Sequence, residues 1–246
     1  MAVEWRDDAI VLSARPHGET SVLASVLTRD HGRHPGLVRG GVGRAARGLW
    51  QPGNRLSVTW KARLADHLGT LTGEMTDALA ARIMDDPGRL ALLAAVCAVA
   101  DAAAPERETM PRLFEDTVAL LALLAGVEAP DSVSPGAAYV VWEVRLLADL
   151  GFGLDLSRCA ATGTNDDLVF VSPKSGRAVS ASAGEPYRDR LLPLPPFLLG
   201  QGGGTAPEIA DGLRLTGAFL ERHVFHPRNR PLPAARERLV ERVGRA

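Results

Sequence analysis

The chain has 246 residues, 46% hydrophobic and 23% charged, with a formal net charge of −1, a balance that excludes intrinsic disorder and leaves room for two modest cores. Its two cysteines, Cys97 and Cys159, are too few and too far apart for a disulfide framework, and no apolar run is as long as a membrane span. The opening residues, MAVEWRDDAI, carry acids where a signal peptide needs a basic start, so a soluble cytoplasmic protein is expected.

The first 75 residues read as strands. AIVLSARP, SVLASVLTRD, GLVRGG, RLSVTWKARL and HLGTLTGEM are short runs rich in Val, Leu and Thr, separated by turn-forming HGET, HGRHPG, GVGRAARGLWQPGN and AD. Five strands in so short a stretch predict a small closed barrel of the oligonucleotide-binding type, an OB-fold domain over residues 1–78. The segment HGRHPGLVRGGVGRAARG, residues 31–48, holds four arginines and six glycines and no acid. Between Arg29 and Arg63 eight bases stand against one acid, a net charge of +7; from Glu74 to Asp131 the net is −7, and from Arg222 to Arg245 it is +5. Such blocks point to a polyanionic partner. Lysine occurs only at 61 and 174, so the preference for arginine is a bias of the whole chain and only the clustering is informative.

Gly41, Gly43 and Ala46 fit a G-x-G-x-x-A dinucleotide fingerprint. That motif requires a following amphipathic helix, which RGLWQPGN should break, and an acid for the ribose about 20 residues on. The reading that survives is a strand and loop whose arginines track a phosphate backbone, with Arg33, Arg39, Arg44, Arg47, Lys61 and Arg63 as nucleic-acid contacts. The competing reading is a solvated basic loop. His31 and His34 are expected to be polar turn residues without a third metal ligand, and Trp5, Trp50 and Trp60 belong with a barrel core before any base-stacking role.

After Met75 the pattern changes to alanine and leucine at helical spacing: TDALAARIM, PGRLALLAAVCAVADAAA, PRLFEDTVALLALLAG and PGAAYVVWEVRLLADLG, then PEIADGLRLTGAFLERHVF and PAARERLVERVG. Proline at the first helical position and Gly126 and Gly151 at the ends mark several of these limits. A helical domain over residues 79–246 follows, interrupted at about 155–186 by a ribbon with hairpin alternation. Cys159-Ala-Ala-Thr162 and Ser180-Ala-Ser-Ala183 have the spacing of a zinc ribbon that has lost three of its four thiols. One thiolate does not hold structural zinc, so no metal or other cofactor is expected, and Leu168, Phe170 and Val179 should hold the hairpin by packing. No nucleophile elbow, helical H-E-x-x-H or phosphate loop is found, and a non-enzymatic protein is expected.

Taken in order, AIVLSARPHGETSVLASVLTRDHGRHPGLVRGG, LWQPGNRLSVTWKARLADHLGTLTGEM, WEVRLLADLGFGLDLSRCAATG, SPKSGRAV, FLERHVF and RPLPAARERLV resemble the bacterial RecO family of DNA repair and recombination mediators over almost the whole chain. The resemblance implies an OB-fold barrel, a helical domain and a zinc-ribbon-like insert that is degenerate in many members. It implies binding to single- and double-stranded DNA, annealing of complementary strands, and action with RecR in loading RecA onto DNA coated by single-stranded DNA-binding protein (SSB), which would place the chain at the nucleoid. Family members also bind the acidic, hydrophobic C-terminal tail of SSB in the helical domain, where Arg145 is a candidate by position and a surface helix arginine is the plain alternative. Two other classes stay open: a protein-only adaptor, and an RNA-binding barrel protein.

Overall fold

The run Val3–His17 forms one long strand, β1, that serves two partners. Its first half pairs antiparallel with β4 (Arg55–Ala62) and its second half with β2 (Ser21–Thr28), with a bulge between Val11 and Ser13 close to the change of partner. Bulges bend and twist a strand, and a strand shared in this way lets a short sheet curl onto itself. β3 (Gly32–Val38) and β5 (Thr70–Asp77) complete the circuit, giving a closed barrel in the order β1-β2-β3-β5-β4. This computed structural model describes residues 3–127 and 134–245.

The barrel interior takes alternate residues of each strand, as the two-residue period of a strand requires. Val11, Val26, Leu56, Val58, Trp60 and Leu71 are buried there. Trp50 and Trp60, at 3% and 1% exposure, are core residues. Trp60 Nε1 donates to the Leu68 carbonyl at 3.0 Å. Gly69, at φ +67°, lets the β4–β5 turn close over that ring, since a Cβ there would stand 2.5 Å from it.

The chain divides into two compact units, Met1–Glu128 and Ala129–Ala246. The first contains, with the barrel, the helices α2 (Leu79–Ile83), α3 (Pro87–Ala103) and α4 (Pro111–Leu124). Helix α3 is tied to the barrel: Asp101 accepts from Ser13 and Ser25 on the outer face of the barrel at 2.9 and 2.6 Å, and Leu93 lies against Gly53. Asp86 caps α3 by accepting from the Gly88 and Arg89 N–H groups.

The second unit holds α5 (Pro135–Asp149), a three-stranded sheet of β6 (Leu168–Val171), β7 (Ala178–Ser180) and β8 (Leu192–Pro193) in the order β7-β6-β8, the single turn α6 (Ala181–Gly184), α7 (Ala206–Phe219) and α8 (Ala234–Val243). Thr205 and Glu208 form a reciprocal capping box at the start of α7. Glu143 and Arg236, both buried, form an ion pair at 2.7 Å that ties α5 to α8.

Candidate nucleic-acid interface

The strand register brings Arg15 of β1, Leu23 of β2 and Leu37 of β3 side by side, and all three lie on the outer face of the barrel. Farther along the same face Ser13, Ser25 and Arg33 are occupied by Asp101, so only the end carrying Arg15 is open. Arg39 is exposed immediately beyond β3. Val42 N–H donates to the Thr20 carbonyl at 3.4 Å, holding the connection after β3 against the β1–β2 turn.

That connection enters a six-residue helix, α1 (Arg44–Leu49), where the sequence pattern indicates loop. Alanine and arginine are good helix formers, and the helix is pinned from beneath: Trp50 is in the barrel core, with Ala46 and Leu49 packed against that core. Arg44 and Arg47, three residues apart, therefore share an exposed face. Gly40, at φ +67°, makes the turn into this segment, and a Cβ there would meet nothing within 4 Å, so the backbone is open to approach. Arg63 lies in the β4–β5 turn, whose Gly69 carbonyl accepts from Leu37 N–H at 3.0 Å and so joins that turn to β3. Arg15, Arg39, Arg44, Arg47 and Arg63 are exposed, and no carboxylate among the described residues engages them. This is a cationic, glycine-opened rim with Leu23 and Leu37 half-buried within it, a composition suited to a sugar–phosphate chain.

The other two sequence candidates are differently placed. Arg33 is held in the interior angle between β3 and the end of α3: Nε donates to the Ala104 carbonyl at 2.9 Å, with Asp101 and Glu106 at 3.8 and 3.7 Å. Lys61 is exposed but lies 2.8 Å from Glu4 across the β1–β4 pair. Arg29 and Arg55 are likewise engaged by Asp8, and Arg29 also by Glu115. The +7 block is thus largely balanced by acids distant in sequence, and the unbalanced part contracts to the rim. Arg15 belongs to that rim and lies outside the sequence block; only its register with Leu23 and Leu37 reveals it.

At the β2–β3 turn, His31 and His34 meet on one ring, and His34, expected to be a polar turn residue, is a buried residue of β3. Trp5 stacks on His31 with centroids 4.1 Å apart and meets His34 edge-on at 5.0 Å. His34 points inward because β3 begins at Gly32, and burial pushes its imidazole below the ordinary value, keeping it neutral. His31 Nδ1 donates to the buried Asp7 carboxylate at 2.7 Å. Among the described residues no group of three or more His, Cys, Asp or Glu side chains is placed to hold a metal ion.

In the ribbon, Cys159 and Ser180 are neighbours: the Ser180 N–H donates to the thiol sulfur at 3.3 Å, and its hydroxyl lies 3.4 Å away. Burial alone would push this thiol up, but hydrogen bonds from Ser180 and Thr162 outweigh it and hold the thiol at about 6. Leu168 and Val179 are buried, and Phe170 packs beneath Gly184, where a Cβ would come within 2.5 Å of its ring. Arg145 is exposed on α5.

Residues 1–79 match the family model described as "Recombination protein O N terminal", and residues 84–231 match "Recombination protein O C terminal". Similar curated proteins include the DNA repair protein RecO of Rhodospirillum centenum, 56% identical with 99% of this chain and 96% of the relative covered. Those of Rhodospirillum rubrum and Phenylobacterium zucineum are each 52% identical, with 99% of this chain and 97% and 99% of the relatives covered.

Proposed function

Since the chain belongs to the RecO family of DNA repair proteins, we propose that it is a recombination mediator that binds DNA, anneals complementary single strands and, with RecR, helps load RecA onto DNA coated by SSB. Its work is binding and juxtaposition, without bond-making chemistry, in the cytoplasm and at the nucleoid. The barrel is an OB-fold, a reading supported by five strands closing in the order β1-β2-β3-β5-β4. The ribbon is a zinc ribbon that has exchanged its metal for packing.

The observation that carries the proposal is the rim of five exposed arginines without acidic partners among the described residues. Phosphates take the place that acids occupy around Arg33 and Lys61. If each rim arginine neutralises one phosphate, log affinity for single-stranded DNA falls with log salt at a slope of about −3.5, using roughly −0.7 per phosphate. Between 50 and 200 mM salt that is a loss of about 100-fold. The triple variant Arg39→Ala, Arg44→Ala, Arg47→Ala should make the slope shallower by about 2.1 and lose strand annealing in parallel. Unchanged binding, slope and annealing in the triple variant would mean that the rim serves a protein partner. Tighter binding to RNA than to DNA of the same sequence would replace DNA repair with an RNA role.

The SSB tail, acidic with an apolar end, needs a cation beside an apolar recess. Arg145 on α5 is the proposed cation. Arg145→Ala should weaken binding of a tail peptide, and unchanged affinity moves the site elsewhere.

A further inference from the structure

The second unit carries an aromatic stack that the rim does not explain. Beyond Phe219 the backbone of α7 widens into a π-helical turn, Leu220–Phe225, a rare geometry that recurs at functional sites. This segment sets the His223 ring nearly parallel to two phenylalanines: Phe219 at 5.9 Å and 14°, and Phe152 at 5.0 Å and 20°. Phe219 is buried at 4% exposure, whereas Phe152 is 38% exposed. The stack is therefore anchored in the core at one side and presents a large ring to solvent at the other.

Cations surround it. Arg222, next to His223, donates to the Pro173 carbonyl at 2.8 Å and so lies against the β6–β7 turn beside exposed Lys174. The same turn touches the stack, since a Cβ on Gly176 would stand 3.5 Å from the Phe219 ring. Among the described residues of this side, Asp155 is engaged by Arg177 at 3.4 Å, and Glu221, next to Arg222, lies 3.7 Å from His226. An open aromatic face flanked by uncompensated positive charge is the chemistry of single-stranded nucleic-acid binding: the base stacks on the ring and the cations follow the phosphates.

We propose that Phe152 and His223, with Lys174 and Arg222, form a platform in the second unit on which one base of a single strand stacks. The proposal rests on the reading of the chain as a DNA binder and adds a strand site separate from the barrel rim. Two strand sites on one chain supply what annealing demands, since both polyanions must be held and screened at once.

The test uses the full chain and a fluorescein-labelled oligo(dT) strand, read by fluorescence anisotropy, in the natural background and in the background of the rim triple variant. Phe152→Leu keeps the apolar volume and removes the flat face; Phe152→Trp enlarges the face. Phe152→Leu should weaken binding in both backgrounds, roughly 5- to 100-fold as for loss of one stacked base, with the salt slope unchanged, and Phe152→Trp should bind at least as tightly as the natural chain. Lys174→Ala with Arg222→Ala should instead make the slope shallower by about 1.4. If Phe152→Leu binds oligo(dT) as tightly as the natural chain while the rim variant is impaired, the platform is refuted and the DNA-binding reading stands. If neither variant is impaired, both fail. A Phe152→Leu variant that loses an acidic peptide but keeps oligo(dT) overturns the platform in favour of a peptide site.

Discussion

Replacing Arg236 with methionine should destabilise the second unit severely, and the size of the effect can be worked from the contacts. The Arg236 side chain is 3% exposed and its partner Glu143 is fully buried. Nε and Nη2 donate to the two carboxylate oxygens at 2.7 and 2.9 Å, and Nη2 also reaches the Leu213 carbonyl at 2.8 Å. Tyr139 and Thr216 hydroxyls donate to the same carboxylate at 2.8 and 2.5 Å. Burial opposes the charge on the guanidinium, and Glu143 outweighs it, holding Arg236 above its ordinary value. Removing the arginine leaves a buried carboxylate supported by two hydroxyls alone, a loss of about 3–5 kcal/mol. At roughly 2–4 °C per kcal/mol for a chain of this size, the unfolding midpoint should fall by about 6–20 °C. Arg236→Met combined with Glu143→Gln removes both charges while keeping an acceptor for Tyr139 and Thr216, so it should recover most of that loss. Thermal unfolding of the natural chain, the single and the double variant decides the matter. A fall below about 2 °C in the single variant, or a double variant no more stable than the single, would refute the claim that an uncompensated charge is what costs.

Further expectations concern the ribbon and the turns. The Cys159 thiol, held at about 6 against an ordinary 9.0, is a depressed acid: its contribution is complete above pH 9 and is lost as pH falls through 6, so stability should decline over that window in the natural chain and stay flatter in Cys159→Ala. Cys97, pushed up to about 12 by burial, should remain unreactive toward alkylating reagents at neutral pH. Elemental analysis should find far less than one zinc per chain, and a chelator should not move the unfolding midpoint, because Thr162, Ser180 and Ala183 replace three thiols; about one zinc per chain refutes this. Gly32→Ala should cost several kcal/mol, since at φ +66° its Cβ would stand 1.9 Å from the Glu108 carbonyl oxygen, whereas Gly40→Ala, with open space around it, should cost only about 1–2 kcal/mol for the left-handed backbone. Equal losses in the two variants would contradict that distinction.

The five strands were legible because each carries its own two-residue period and its own turn residues, and those signals are local. The helix starts at Pro87, Pro111 and Pro135 were legible for the same reason. Helix α1 was not, because Gly48 and Pro52 outweigh two alanines in a local reading, while what sustains the helix is the burial of Trp50 in a barrel built from distant strands. The contacts of α3 were not legible in the same way: composition shows that the segment is helical, and the Asp101 contacts with Ser13 and Ser25 show what its polar face meets. The β6–β7 hairpin was legible through its alternation and turn residues.

The candidate site shows the same division more sharply. Counting charge along a sequence treats neighbours in the chain as neighbours in space, and in a sheet that is true only within one strand. Glu4, Asp8, Asp101 and Glu106 reach the basic block from elsewhere and engage Lys61, Arg55 and Arg33, while Arg15, outside the block, joins its unbalanced remainder through two registers, Arg15 with Leu23 and Leu23 with Leu37. An ion pair already made inside the protein must be broken before a phosphate can replace the carboxylate, so a paired arginine contributes little to net affinity. The exposed, unpaired ones contribute nearly their full counterion release. Affinity for a polyanion is therefore governed by the charge that folding leaves uncompensated on one surface, and the site proposed here rests on the end of the barrel where β1 turns into β2 and β3 leads into α1.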